Sequence, residues 1–130
     1  MTLEEFNSKY VYKTDKEKFG FIEVWEIPEL QNDKYYGDCE SYCLFLKNKI
    51  EKFEEWELYF CKLNGNGHCI LSNGALIIDC NSKKTMLKDK FIEKYKITEL
   101  KKYNKFTIFS KYIFTKIYLF FKGKRCQKKH

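Results

Sequence analysis

Alanine, proline and arginine are nearly absent from this 130-residue chain, which holds one of each. With Arg125 as its one guanidinium, the chain lacks the fork-shaped donor that reads base edges and phosphates bidentately, leaving lysines as point charges. Its six cysteines contain no Cys-x-x-Cys pair, which excludes the common zinc modules. Cys39 and Cys43 with His68 and Cys80 stay a conceivable zinc set. No uninterrupted apolar run is long enough to span a bilayer, because Lys111 and Lys116 divide the longest one, 106–121. The start Met1-Thr2-Leu3-Glu4-Glu5-Phe6 has no basic region followed by an apolar stretch, so a secretory leader is not expected. A cytoplasmic location with free thiols is the expectation instead. No repeat or low-complexity linker is visible.

What is there is lysine and aromatic residues. Twelve Phe, ten Tyr and two Trp take the aromatic share to 18%, and 44% of the chain is hydrophobic, enough for one packed domain over 1–130. The charge is divided. Residues 1–82 carry nine Lys against fifteen acids, a net of −6, while 83–130 carry sixteen Lys and Arg against three acids, a net of +13. Many of these residues have AT-rich codons, and such a bias lowers the weight of lysine content as a sign of function. The composition and small size fit a phage or mobile-element source.

Along the chain, Gly37-Asp38 breaks the early pattern, and Pro28 marks a turn or helix entry before it. Apolar residues at Tyr42, Phe45, Leu46, Ile50 and Phe53 have helical spacing, so a helix over 39–53 is expected, with Asp38 as its N-cap. Residues 56–61 read as a strand, followed by the turn signal Asn64-Gly65-Asn66-Gly67. Next come His68-Cys69-Ile70-Leu71 and Ala75-Leu76-Ile77-Ile78-Asp79, with Ser72-Asn73-Gly74 between them. Asn-Gly flanked by apolar runs predicts a type I′ hairpin turn. With Asn73 and Gly74 as the two loop residues, Ser72 pairs with Ala75 and His68 falls directly opposite Asp79. Opposed side chains share a face about 5 Å apart at Cβ, within reach of an imidazole–carboxylate bond, and a one-residue slip would separate them.

A cysteine at a helix start together with a His–Asp pair is what thiol-nucleophile chemistry requires. The helix N-terminus favours the thiolate of Cys39, His68 moves the proton, and Asp79 fixes the imidazole tautomer. Backbone N–H groups at Cys39 are positioned to help hold an oxyanion.

These residues also carry a resemblance. Gly37-Asp38-Cys39-Glu40-Ser41-Tyr42, then Gly67-His68-Cys69-Ile70-Leu71 and Ile78-Asp79, resemble the motifs of the transglutaminase-like cysteine peptidase superfamily. The likeness covers roughly 12–81 and includes Trp25 and Pro28. It implies an α+β, papain-like fold in which the nucleophile helix packs on an antiparallel β-sheet. It also implies an acyl-thioester resolved by water, as in a peptidase or amidase, or by an amine, as in a transglutaminase. Trp25 would line the substrate cleft or support the oxyanion, or else anchor the core. Asp38 and Glu40 match positions that bind calcium in some bacterial relatives; no other cofactor is implied. Ser41, Cys69 and Cys80 depart from the family pattern without removing a triad member.

Three readings fit the basic segment 83–130. It completes the domain with aromatic residues on the sheet, or 106–121 forms an amphipathic helix for an anionic membrane surface, or its lysines contact nucleic acid. A strand over 106–121 is the alternative to a helix. An alternative of another class also stands: an inactive scaffold that binds nucleic acid, membrane or a host protein through this segment, in place of an enzyme acting on a protein or peptide substrate.

Overall fold

A computed structural model describes residues 1–14 and 26–128, and their architecture is α+β: four α-helices and two sheets among the described residues. The chain opens with helix α1 (Leu3–Lys9), capped by the Thr2 hydroxyl, which accepts from the backbone N–H of Glu5 at 3.1 Å. It buries Leu3 and Phe6 and passes directly into strand β1 (Tyr10–Tyr12). Strands β2 (Leu30–Gln31) and β3 (Lys34–Gly37) form a hairpin around Asn32 and Asp33, both with positive φ (50° and 62°), the backbone of a type I′ turn. Strand β1 pairs in parallel with β3, giving the sheet order β1-β3-β2.

Helix α2 (Cys39–Lys49) follows at once. The Asp38 side chain caps it by accepting from the Ser41 N–H at 3.1 Å, so the expected cap and start both hold. The helix stops at Lys49 rather than at Phe53, because β-branched Ile50 turns extended (φ −118°, ψ 113°). Phe53 instead sits in a short 3₁₀ turn (Glu51–Phe53), buried edge-on against Trp56 with ring centroids 4.8 Å apart.

The larger sheet has the order β7-β6-β5-β4-β8 and is antiparallel throughout. Strands β4 (Glu57–Leu63) and β5 (Asn66–Ser72) pair in full register around Asn64-Gly65, both left-handed (φ 52° and 81°). Strand β6 (Leu76–Ile78) pairs with β5, but two residues out from the expected register: Ser72 faces Ile77 and Leu71 faces Ile78. The turn is centred on Gly74-Ala75, and of its residues Gly74 alone has positive φ (98°). Side chains explain this choice. The Asn73 carboxamide oxygen accepts from the N–H groups of Ala75 and Leu76, at 2.9 and 2.8 Å, which holds Asn73 outside the turn centre.

The basic segment supplies both outer strands, β7 (Met86–Leu87) and β8 (Ile97–Lys102), with helix α3 (Lys88–Tyr95) between them. Residues 83–102 thus extend the sheet with its two outer strands, where the first of the three readings expects aromatic residues packed on it. Helix α4 (Lys105–Lys128) ends the described chain and settles 106–121 as helix rather than strand. No helix among the described residues is long and apolar enough to cross a membrane.

The two sheet faces bury different clusters, as a period of two demands. One face carries Leu58, Cys69, Leu71 and Ile78 against α2, α1 and the small sheet, where Phe6 stacks on Phe45 at 3.9 Å and 6°. The opposite face carries Cys61, Ile70 and Ile77 against Phe91 of α3 and Ile97.

Candidate active site

Gly37 and Asp38 set the position of Cys39. A Cβ on Gly37 would lie 2.5 Å from the Ser41 Cβ, so only glycine lets β3 run this close to the first turn of α2. The buried Tyr10 hydroxyl donates to the Gly37 carbonyl at 2.8 Å and fixes the junction from below. Pro28 is buried beside it, with its Cβ 3.9 Å from that same point.

His68 lies near the start of β5 and Asp79 just past the end of β6. Their side chains meet: His68 Nε2 and Asp79 Oδ2 are 2.6 Å apart, at 8% and 0% exposure. The expectation of direct opposition is corrected, since in the observed register Asp79 is displaced by two residues from His68. The contact survives because a two-residue slip keeps side chains on the same face, where a diagonal pair is still within reach. Asp79 is held in turn by Ser82, whose backbone N–H donates to Oδ1 at 2.8 Å. With Nε2 committed to the carboxylate, Nδ1 is the imidazole atom left for proton exchange.

Cys39 is the first residue of α2 and is buried in the same cluster as Cys69 of β5. The backbone N–H of Cys69, the residue after His68, is near enough to the sulfur to favour its thiolate. The thiol itself donates to Glu40 Oε2 at 3.2 Å, so its hydrogen bond goes to Glu40 and not to His68. Across β4, His68 opposes Cys61, which places its side chain on the sheet face of Ile70, while Cys69 faces α2. The structure therefore assembles the His–Asp pair completely and sets the cysteine against the neighbouring backbone.

The electrostatics of the thiol also differ from expectation. Burial pushes the Cys39 thiol well above its ordinary range, and the Glu40 carboxylate, Cys69 and Asp38 push it further; only the Cys69 N–H acts the other way. A helix dipole is worth about half a charge at its end and falls off within a turn, so desolvation with two adjacent acids outweighs it. Glu40 is itself raised to about 8, first by burial and then by Asp38.

Glu40 and His68 line one open cleft of about 1150 Å³, together with Phe60 and with Lys101, Lys102 and Lys111 of the basic segment. Sequence reading missed both Glu40 as the partner of the thiol and the lysine wall. An acid adjacent to the cysteine was visible, but nothing in the pattern aims its side chain.

Asp38 and Glu40 do lie together, yet Asp38 Oδ1 is used by the helix cap. Among the described residues no group of three or more His, Cys, Asp or Glu side chains could hold a metal, whereas calcium takes six to eight oxygens. The conceivable zinc set does not converge either: Cys43 donates to the Cys69 carbonyl at 3.6 Å, Cys80 to Asn81 Oδ1 at 3.9 Å, and His68 pairs with Asp79. Cys39, Cys43, Cys61, Cys69 and Cys80 are all free and buried. Trp25 lies outside the described residues. No protein-family model, no curated protein and no solved structure matches the chain.

Proposed function

We propose that the protein is a thiol-dependent acyl-transfer enzyme of papain-like, transglutaminase-like design acting on amide bonds, with Cys39 as nucleophile, His68 as proton carrier and Asp79 as its orienting partner. One observation carries the reading: a buried 2.6 Å His–Asp pair stands on the sheet against which the helix that starts at Cys39 packs. In the reaction the sulfur attacks the carbonyl carbon and its proton passes through His68 to the leaving nitrogen as the C–N bond breaks. Water or an amine then attacks the thioester, releasing acid or new amide and returning the proton to sulfur. The arrangement described is a resting one. Glu40 holds the thiol proton, and a bound substrate must displace that carboxyl and bring Cys39 to His68, in keeping with catalytic hydrogen bonds that tighten only in the complex.

The cleft selects the substrate. Lys101, Lys102 and Lys111 outnumber the one acid on its walls, even with Lys102 also 4.0 Å from Glu57, and favour an acyl group that carries a carboxylate. A succinylated amino-acid p-nitrophenyl ester is the test. We expect a hydroxylamine-labile adduct on Cys39 by mass spectrometry, faster than with the neutral acetylated ester. Its formation should slow on the order of 100-fold or more in His68→Ala. An adduct on another cysteine, or one indifferent to His68, overturns the reading. A second reading, a scaffold without activity, is favoured by the buried, protonated state of the Cys39 thiol, and total absence of an adduct with every ester would support it.

A further inference from the structure

Helix α4 leaves a stripe of large apolar side chains in solvent. Phe106, Phe109, Ile113, Ile117 and Phe120 recur at steps of three and four along it, with Phe114 beside them, and their exposures run from 41% to 76%. Those intervals put all of them within one broad face of an α-helix. The helix is anchored by another face, through Ile108 against the main core and through buried Thr115. Monomeric proteins seldom expose so continuous an apolar surface without a use for it.

The same 24 residues contain six Lys and one Arg and no acid, and the exposed Lys116 lies on the border of the stripe. A partner must therefore accept apolar side chains and supply negative charge. A second copy of α4 meets the first condition and fails the second, because it brings the same seven cations and no acid. Nucleic acid meets the second, but its phosphates find apolar side chains at the centre of this face. A bilayer with anionic headgroups satisfies both.

We infer that α4 is an interfacial helix that lies flat on an anionic membrane surface, its Phe and Ile stripe set into the headgroup–acyl boundary and Lys116 at its border among the headgroups. Such a helix needs a polar flank and a wide apolar face rather than the length of apolar chain that crossing requires. Its lack of a membrane-crossing character is consistent with this placement.

Flotation of the full chain with vesicles tests the inference, using phosphatidylcholine alone and phosphatidylcholine with about 30 mol% phosphatidylglycerol. We expect at least about tenfold stronger binding to the anionic vesicles, weakened as salt is raised. Phe109→Glu with Ile117→Glu should reduce it about 100-fold, and Lys116→Ala about fivefold. Both sets of positions are exposed, and unchanged circular dichroism will show that the variants are folded. Cys39→Ser should bind as the parent does, which separates this inference from the catalytic one. It is overturned by equal binding to neutral and anionic vesicles, by binding that survives the Phe109/Ile117 change, or by no binding at all. A salt-sensitive complex with single-stranded nucleic acid or a dimer in lipid-free solution, either of them in place of vesicle binding, also overturns it.

Discussion

Replacing Glu40 by glutamine should release the Cys39 thiol, and by an amount that grows with pH. The carboxyl oxygen lies 3.2 Å from the sulfur and Glu40 is the leading charged group that raises the thiol. Two unit charges about 4 Å apart in surroundings of effective dielectric near 20 interact by about 4 kcal/mol, which corresponds to about three pKa units. Lower thiol pKa also lowers intrinsic nucleophilicity, with a Brønsted slope near 0.5, so about half of the gain in thiolate is lost. The net is on the order of thirtyfold in alkylation rate. That factor applies only where wild-type Glu40 is ionised, above about 8. Below it, wild-type Glu40 is neutral and the two proteins converge. Iodoacetamide rate constants for each cysteine, taken by peptide mass spectrometry from about pH 6 to about pH 9, give the ratio directly. A variant-to-wild-type ratio that stays constant across this range would refute the placement of Glu40 on the thiol. So would a ratio that is largest at low pH.

Stability should carry the same signature. In the window from the ordinary Glu value of 4.5 up to about 8, folded Glu40 keeps a proton that the unfolded chain has lost. Stability therefore falls as pH rises through that window, by at most about 1.4 kcal/mol per unit. Urea midpoints of Glu40→Gln should be flatter over the same range, and an unchanged slope counts against the assignment. Gly37→Ala places a methyl 2.5 Å from the Ser41 Cβ, so the start of α2 must shift; a loss of about 1 to 3 kcal/mol in urea is expected, with Cys39 displaced. Phe6→Ala empties the centre of the aromatic cluster and should cost about 3 to 5 kcal/mol by thermal or urea unfolding. Asp79→Asn should slow Cys39 acylation by the succinyl ester by a factor on the order of a thousand or more; a rate within a few-fold of wild type would remove Asp79 from its role.

The start of α2 was legible because Gly37, Asp38 and the apolar spacing from Tyr42 onward are local signals that agree. The His68–Asp79 pair was legible through a turn that does not form as expected. Asn73 bonds its own backbone and moves the turn to Gly74-Ala75, and the pair survives because the error is two residues rather than one. The small sheet was not legible. Its hairpin turns on Asn32-Asp33 without a glycine, and its strands are too short to show a period. Strand β8 was hidden for another reason: Ile97–Lys102 is an edge, and edges carry the lysines that make a strand read as surface. The bond from Cys39 to Glu40 depends on burial and side-chain direction, neither of which has a periodic signature.

The outer position of β8 has a consequence for how the molecule comes into being. Its pairing joins Tyr59 to Lys102 and Leu63 to Ile97, so β4 has no outer neighbour until some forty residues more of chain have been made. During synthesis the acidic half emerges first, with the bare edge of β4 exposed to any passing strand. The switch from negative to positive charge at residue 82 is thus a seam sewn through one sheet. The step that closes the sheet is the late arrival of a lysine-rich edge strand, which caps β4 with a surface that discourages further pairing.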